Sequence, residues 1–517
     1  MLPIIIYALS GLTAMAYEVL WTRILTPTIG TFVYAFASVL AVYLLGIGGG
    51  SLVYPAIARL IPNKKLLLGL CQLMLGIGAL GSVYLASNQV VLPKVALVIG
   101  MLVPATLAMG LTFPAAVALV AHKNKAGWIV GLTYFGNTLG SVGGGFLASF
   151  LLIPVWGSSQ SIILLAIINL GLAAILMPKV GLRLMTLGLV GVSVWLVGWK
   201  GQSLYPSETQ WRINWAREKN FDFVFAEDEV ASAFGYKDPT QDDQNLFIDG
   251  VPTTNKVGET KLMAHLPVLL HPDPKRVLVI AFGMGTTFRS SLSYGLETDV
   301  VELVPSVPPL MRLFYADAGQ VLNNPQGKVI INDGRNYVFL TKKRYDIVTI
   351  DPPPPFNAAG TTVLYSREFY QDIAEKLNPG GIVSQWMWFG SRQDDITMAT
   401  KSFLDVFPYV EVFQSPGGVG GMYLEGSFSP MVIDKAQVKP QLNNQMAETD
   451  LGETYTDLKL MDLKQLVVAD RQKLIDWVGR APAVTDEYPR TEYFLLRHAF
   501  TQAPNLAGAK VEELFGR

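Results

Sequence analysis

The chain has 517 residues, of which 50% are hydrophobic and 16% charged, and its mean hydropathy is +0.34. That balance excludes a chain that is soluble throughout and puts part of it in lipid. A net charge of −1 supplies no basic field for nucleic acid, and the single cysteine, Cys71, excludes an internal disulfide and argues against a metal site.

From Met1 to about Trp199 apolar runs of membrane-spanning length alternate with short polar loops. The runs predict seven helices, near 2–25, 31–57, 66–87, 94–121, 127–153, 160–178 and 183–199, the last being the shortest. Such a domain (1–200) makes the lipid bilayer a partner and predicts a multi-pass protein of the cell membrane. Arg59, Lys64, Lys65, Lys123, Lys125, Lys179 and Arg183 fall in alternate loops, against Arg23 and Lys94 in the others, which places the N-terminus in the cytoplasm. Seven complete spans then put the soluble part outside, and an incomplete seventh keeps it inside. Glu18 lies well inside the first span, where a lone charge costs about 2.5–3.5 kcal/mol, so a partner is expected. Glycines in GIGGG (46–50), GSVGGG (140–145) and Met109-Gly110 predict close helix packing.

After Lys200 the sequence becomes mixed and polar. Residues 201–260 read as a linker and a small antiparallel β unit that turns at Asp249-Gly250, and a helix from about 259 to 270 follows. Residues 276–305 then read as a buried parallel strand, a glycine turn (Gly283, Gly285), an amphipathic helix and a second strand that ends on Glu302. This is the opening half of a doubly wound nucleotide fold, in which glycines admit a ligand to the backbone and the acid accepts ribose hydroxyls. Two further strands end at Asp333, which precedes Gly334, and at Asp351. Three carboxylates at the carboxyl ends of successive strands of a parallel sheet surround one crevice.

The sequence resembles the spermidine synthase family of aminopropyltransferases, in the form fused to an N-terminal membrane domain. SGLTAMAYEVLWTRIL, MGLTFPAA and GLTYFGNTLGSVGGGFLASFLLIPVWG carry the likeness in the first part. LFIDG, MAHLPVLLHPDPKRVLVI, INDGRNYV, YDIVTID, LYSREFYQDIAEKLNPGGI and PAVTDEYPRTEYFLLR carry it in the second. The resemblance implies a transmembrane helical bundle followed by an α/β Rossmann-like domain of the methyltransferase type (261–517) with a C-terminal helical extension. It implies no tightly bound cofactor and no metal, but S-adenosylmethionine or its decarboxylated form as cosubstrate, cleaved between sulfur and the three-carbon chain to release methylthioadenosine. Glu302 would hold the ribose, Asp333 with Gly334 the adenine, Gly283 and Gly285 would lie under the nucleoside, and Asp351 would be catalytic. Segment 352–363 would close over the site and exclude water. A homodimer is left open.

Three departures bear on the substrate. Met284 stands where the family has the aspartate that holds the aminopropyl amine, Pro354 where it has a second acid, and Glu259-Thr260-Lys261 where it has Tyr-His-Glu. A substrate that keeps its carboxylate would need a cation, for which Lys261, Arg289 and Arg335 are the candidates; Asp249 and Glu259 complete the candidate substrate contacts. Besides aminopropyl transfer, the alternatives are a lyase or cyclase acting on S-adenosylmethionine, and a transporter whose soluble domain senses the ligand.

Overall fold

The computed structural model describes residues 2–87, 93–120, 126–200, 207–240, 243–255, 258–351, 356–418, 420–431 and 439–515. The chain divides into two compact units: residues 1–219 with the segments 226–232 and 249–251, and residues 220–225, 233–248 and 252–517.

The first unit contains α1 (Leu2–Ile29), α2 (Val33–Leu60), α3 (Lys64–Ser87), α4 (Lys94–Val120) and α5 (Ala126–Leu147). The last of these continues through a π-helical turn, Ala148–Leu152, into α6 (Ile153–Trp156); α7 (Ser158–Leu176), α8 (Val180–Lys200) and α9 (Ser207–Glu218) follow. Among the described residues six helical stretches are long and apolar enough to cross a membrane: Ile4–Ile29, Val33–Leu60, Lys64–Ser87, Lys94–Val120, Gly127–Trp156 and Ser158–Leu176. The seventh predicted span corresponds to α8, whose apolar stretch, Val180–Trp195, is shorter than these six. Lys123 and Lys125 lie outside the described residues.

Helix contacts explain the glycines. A Cβ on Gly140 or Gly144 would strike the carbonyl oxygens of Ala8 and Leu12, so α5 lies directly against α1, and Gly50 and Gly110 bring α2 and α4 together in the same way. A buried polar network ties α1, α3, α4 and α7 together. The Tyr17 hydroxyl donates to Asn169 Oδ1 (2.9 Å), and Asn169 Nδ2 donates to Gln72 Oε1 (2.9 Å) and Thr13 Oγ1 (3.2 Å). Gln72 Nε2 reaches Ser10 and Thr112, and the Trp21 indole donates to Ser82 (2.8 Å). The Glu18 carboxylate, for which a partner was expected, has no hydrogen bond or ion pair among the described residues.

The two ends of this unit differ. Lys64 donates to the Ala118 carbonyl and Arg183 to that of Met177, while Leu176 packs on Gly69, so the cationic loops gather at one end. At the other end the Arg23 guanidinium donates to the carbonyls of Asp228, Glu229 and Val230, and the Glu227 carboxylate accepts from the Ser158 N–H and hydroxyl. Arg212, on α9, donates to the Gly250 carbonyl at that same end (3.1 Å). The 21 residues of α8 make a helix about 31 Å long, enough to run from one end to the other.

The strands β1 (Asp222–Glu227), β2 (Ser232–Lys237), β3 (Gln244–Ile248) and β4 (Val251–Asn255) form a four-stranded sheet in sequence order, the expected small β unit. Then come α10 (Glu259–Leu270), β5 (Arg276–Ile280), α11 (Thr286–Leu292), β6 (Glu297–Glu302), α12 (Val307–Phe314), α13 (Ala318–Leu322), β7 (Gly327–Ile331), α14 (Gly334–Leu340) and β8 (Tyr345–Ile350). The remainder is α15 (Arg367–Lys376), β9 (Leu377–Trp388), α16 (Gln393–Leu404), β10 (Tyr409–Gln414), β11 (Gly421–Ser427), α17 (Lys439–Leu442), α18 (Gln445–Gly452), β12 (Val467–Asp470), α19 (Arg471–Val478), α20 (Phe494–Phe500) and α21 (Val511–Leu514).

Eight of these strands make one mixed sheet in the order β12-β10-β11-β9-β8-β5-β6-β7. The strands from β9 to β7 run parallel, and β11, β10 and β12 add an antiparallel half. Central β5 is buried from Val277 to Ile280, which is why its sequence is apolar without alternation. The chain moves outward from β5 to β6 and β7, then returns to place β8 on the other side of β5. That reversal opens a crevice at the carboxyl ends of β5 and β8, where ligands of such sheets bind.

Candidate active site

The turn after β5 is the tightest part of the crevice. Gly283 (φ 53°) and Gly285 (φ 83°) adopt the left-handed conformation that glycine takes at no steric cost, and Gly285 caps α11. Ala281 adopts it too (φ 71°) although it carries a Cβ, a strain of order 1–3 kcal/mol of the kind that collects at functional sites. The Glu302 carboxylate holds this turn in place: Oε2 accepts from the Phe282 N–H and Oε1 from the Val304 N–H, each at 2.8 Å. Burial pushes the Glu302 carboxyl up from its ordinary range, against the amides of Val304, Phe282, Leu303 and Gly283, which favour its charged form.

Asp351 follows β8, and its N–H donates to the Ile280 carbonyl (3.0 Å), which locks the end of β8 to the glycine turn. A Cβ on Gly283 would lie 3.9 Å from Asp351 Oδ2 and 3.5 Å from Thr254 Cγ2, so Asp351, the turn and the end of β4 share one small space. Burial, and then the charge of Glu302, push the Asp351 carboxyl up to about 7. Its side chain has no hydrogen-bond partner among the described residues. Asp333, at the end of β7, caps α14 by accepting from the Asn336 N–H (2.7 Å), and Gly334 sits where a Cβ would come within 2.8 Å of Ile280.

The three candidate cations are all paired inside the protein. Lys261 is buried, with Nζ on Glu453 Oε2 (2.9 Å) and on the backbone carbonyl of Asp450. Arg289 meets Asp317 (2.8 Å), Glu453 (2.9 Å) and Asp450 and lies over the Tyr315 ring at 5.2 Å. Arg335 makes a two-pronged pair with Asp486 and also donates to the Ser366 hydroxyl (3.2 Å). Asp249 falls in the first unit, whereas the other candidate residues are in the second. There its Oδ1 accepts from the Ser232 N–H (2.8 Å) and hydroxyl (3.0 Å).

Glu259 stands at the start of α10 with no side-chain partner among the described residues. The Tyr423 hydroxyl donates to its backbone carbonyl (2.8 Å), and Tyr423 lies against Trp386 with ring centroids 4.6 Å apart. Tyr455 covers Gly258, where any Cβ would overlap its ring. Sequence reasoning missed Tyr423, Trp386 and Tyr455, because none belongs to a strand-end or glycine motif.

Residues 352–355 of the expected closing loop lie outside the described residues. Its later part is pinned by the C-terminal segment: Phe356 packs on Tyr365 (4.5 Å), the Gly360 N–H donates to Glu492 (2.9 Å), and the hydroxyls of Thr362 and Thr491 meet at 2.9 Å. Elsewhere Asp394, Asp395 and His498 come close enough to hold a metal ion, but the Arg497 guanidinium already bridges both aspartates and Arg392 pairs with Asp394. Two guanidinium groups in contact with the donor set oppose a cation there.

Residues 256–436 match the spermine/spermidine synthase domain. The polyamine aminopropyltransferase of Methanocaldococcus jannaschii is 29% identical over 194 residues, which are 36% of this chain and 66% of that protein. That of Desulforudis audaxviator is 29% identical over 206 residues, 38% of this chain and 74% of the relative. Among solved structures, spermidine synthase from Thermotoga maritima is similar at 24% identity and a TM-score of 0.35, covering 42% of this chain and 74% of that one.

Proposed function

Residues 256–436 carry a spermine/spermidine synthase domain, and from that premise we propose that the chain is a membrane-anchored aminopropyltransferase acting on decarboxylated S-adenosylmethionine. Glu302 holds the ribose hydroxyls, Asp333 and Gly334 flank the adenine, and Gly283 and Gly285 let the nucleoside lie on the backbone. At the reacting end an amine attacks the carbon bonded to the sulfonium. The carbon–nitrogen bond forms as the carbon–sulfur bond breaks, methylthioadenosine leaves, and the amine proton passes to Asp351.

The pairing of the cations carries the choice of cosubstrate. Lys261, Arg289 and Arg335, the groups that could have received a carboxylate, are each bound to carboxylates of the chain. Of the candidate site residues, the two acids Asp351 and Glu259 have no side-chain partner among the described residues. Burying a substrate carboxylate beside unpaired acids is costly, whereas a cationic chain gains from them. This favours the decarboxylated form over the lyase reading that intact S-adenosylmethionine would require.

A product assay tests the proposal. The full-length protein in detergent is given S-adenosylmethionine or its decarboxylated form, each with and without putrescine, and products are followed by mass. Methylthioadenosine and an aminopropylated amine are expected only from the decarboxylated form with the amine present. Methylthioadenosine from S-adenosylmethionine alone would establish the lyase, S-adenosylhomocysteine would mean methyl transfer, and no product at all would favour sensing.

The membrane orientation belongs to the same proposal. The cationic loops mark the cytoplasmic end of the helices, while Arg23, Ser158 and Arg212 engage residues 226–232 and 249–251 at the other end. A reporter fused after residue 215 is therefore expected to read as extracytoplasmic in compartment-specific labelling, with α8 as the final crossing. A cytoplasmic signal would mean that α8 does not cross.

A further inference from the structure

Resting on the aminopropyl-transfer reading, we infer that Glu259 and Tyr455 form an ammonium-binding subsite for the substrate's cationic chain, with one wall supplied by the C-terminal extension. Tyr455 lies beyond residue 436, where the matched domain ends.

Four observations carry it. Glu259 is a half-buried carboxylate with no hydrogen bond or ion pair among the described residues, although three cations of the same unit are bound to other acids. The Tyr455 hydroxyl oxygen is buried and has no hydrogen-bond partner among the described residues, a condition that costs about 1–3 kcal/mol unless a ligand relieves it. Tyr455 lies on Gly258, the residue next to Glu259, and after burial the charge of Glu259 pushes the Tyr455 phenol up. Finally, Tyr423 links this corner to the reacting end. Its hydroxyl holds the Glu259 backbone, and after burial and Tyr455, the charges of Glu259 and Asp351 both push its phenol up.

A primary ammonium satisfies all of these groups at once. One N–H bonds to the Glu259 carboxylate, a second to the Tyr455 oxygen, and the charge sits beside the Tyr423–Trp386 pair, whose ring faces attract cations. The ammonium can come from the aminopropyl chain of the cosubstrate or from the acceptor amine; the chemistry is shared, and the arms of the test separate them.

The test uses the full-length protein and measures the affinity of methylthioadenosine, which lacks the chain, and of decarboxylated S-adenosylmethionine, together with the KM for putrescine. Glu259→Gln is expected to leave methylthioadenosine binding within about twofold and to weaken either the decarboxylated cosubstrate or the acceptor at least about tenfold. Tyr455→Phe, which removes only the hydroxyl, should weaken the same quantity about threefold, with a melting temperature no lower than that of the wild type. Loss confined to the cosubstrate assigns the subsite to the aminopropyl chain, and loss confined to the putrescine KM assigns it to the acceptor. Unchanged values for both ligands in Glu259→Gln would overturn the inference while leaving the aminopropyl-transfer reading intact. An equal fall in methylthioadenosine affinity would mean that Glu259 only supports the fold. If the wild-type protein binds neither nucleoside, the functional reading falls, and this inference with it.

Discussion

Asp351→Asn is expected to lower turnover with decarboxylated S-adenosylmethionine and an amine by about 100- to 10,000-fold, the range of a lost general base. Methylthioadenosine affinity should stay within about threefold, because the proposed function puts Glu302 and Asp333 at the adenosine and Asp351 at the chain. The pH profile gives a second readout. Burial and the nearby charge of Glu302 push the Asp351 carboxyl up to about 7. Only its ionised form accepts the amine proton, so the wild-type rate should rise with pH through a midpoint near 7, and the asparagine variant should lose that limb. Turnover within tenfold of wild type, with the limb retained, would remove Asp351 from the centre of the mechanism.

The crevice was legible from sequence because the features that build it are local. Strands expected at 277–280, 299–303, 329–331 and 345–350 are present as β5, β6, β7 and β8, within one or two residues. β5 and β8 are short apolar runs, the signature of parallel strands covered on both faces. The glycines and strand-end acids follow at fixed offsets, so Glu302, Asp333 and Asp351 come with the strands. Ala281 shows the limit even here: nothing in AFGMG says that its alanine takes the left-handed conformation, since Glu302 and the Val301 carbonyl impose it from β6.

The state of the charges was not legible, because a cation's partner is set by tertiary structure. Lys261 and Arg289 meet acids 192 and 161 residues further along the chain, and Arg335 meets Asp486 after 151. From sequence these three were free to receive a substrate carboxylate, and the fold gives each to the protein. Asp249 misleads in the opposite way. LFIDG looks like a substrate motif, yet the carboxylate is taken by Ser232, and its own φ of 49° marks it as a turn residue. The short apolar part of α8 was visible in its composition, but the contacts of Arg23 and Ser158 that bear on its crossing are not.

Asp450→Ala is expected to destabilise the second unit by about 3–5 kcal/mol, the cost of stranding buried charges whose partner is removed. Asp450 sits between α10 and α11 and is almost fully buried. Its Oδ2 accepts from Ser290 (2.6 Å) and meets His265 Nε2 (3.1 Å), and its Oδ1 faces Lys261 at 3.4 Å and pairs with Arg289. His265 is wedged in turn by the Tyr294 hydroxyl at 2.6 Å. Alanine leaves Lys261, which is 1% exposed, with Glu453 as its one carboxylate beside the backbone carbonyl at position 450, and deprives His265 and Ser290 of their acceptor. The wild type should show the same dependence as a function of pH. Although burial by itself raises the Asp450 carboxyl, His265, Lys261 and Ser290 outweigh it and hold the group down at about 2. A lowered folded value means stability that is fully present above the unfolded value near 4 and lost as pH falls through 2, about 2.6 kcal/mol in all. Thermal melts followed by tryptophan fluorescence should therefore show the variant well below wild type at pH 7, with the gap narrowing as the pH is lowered towards 2. Because the cluster also sets the start of α10, the variant should lose the Glu259 subsite before it loses nucleoside binding. Equal melting temperatures at pH 7 would show that the cluster does not hold α10 and α11 together.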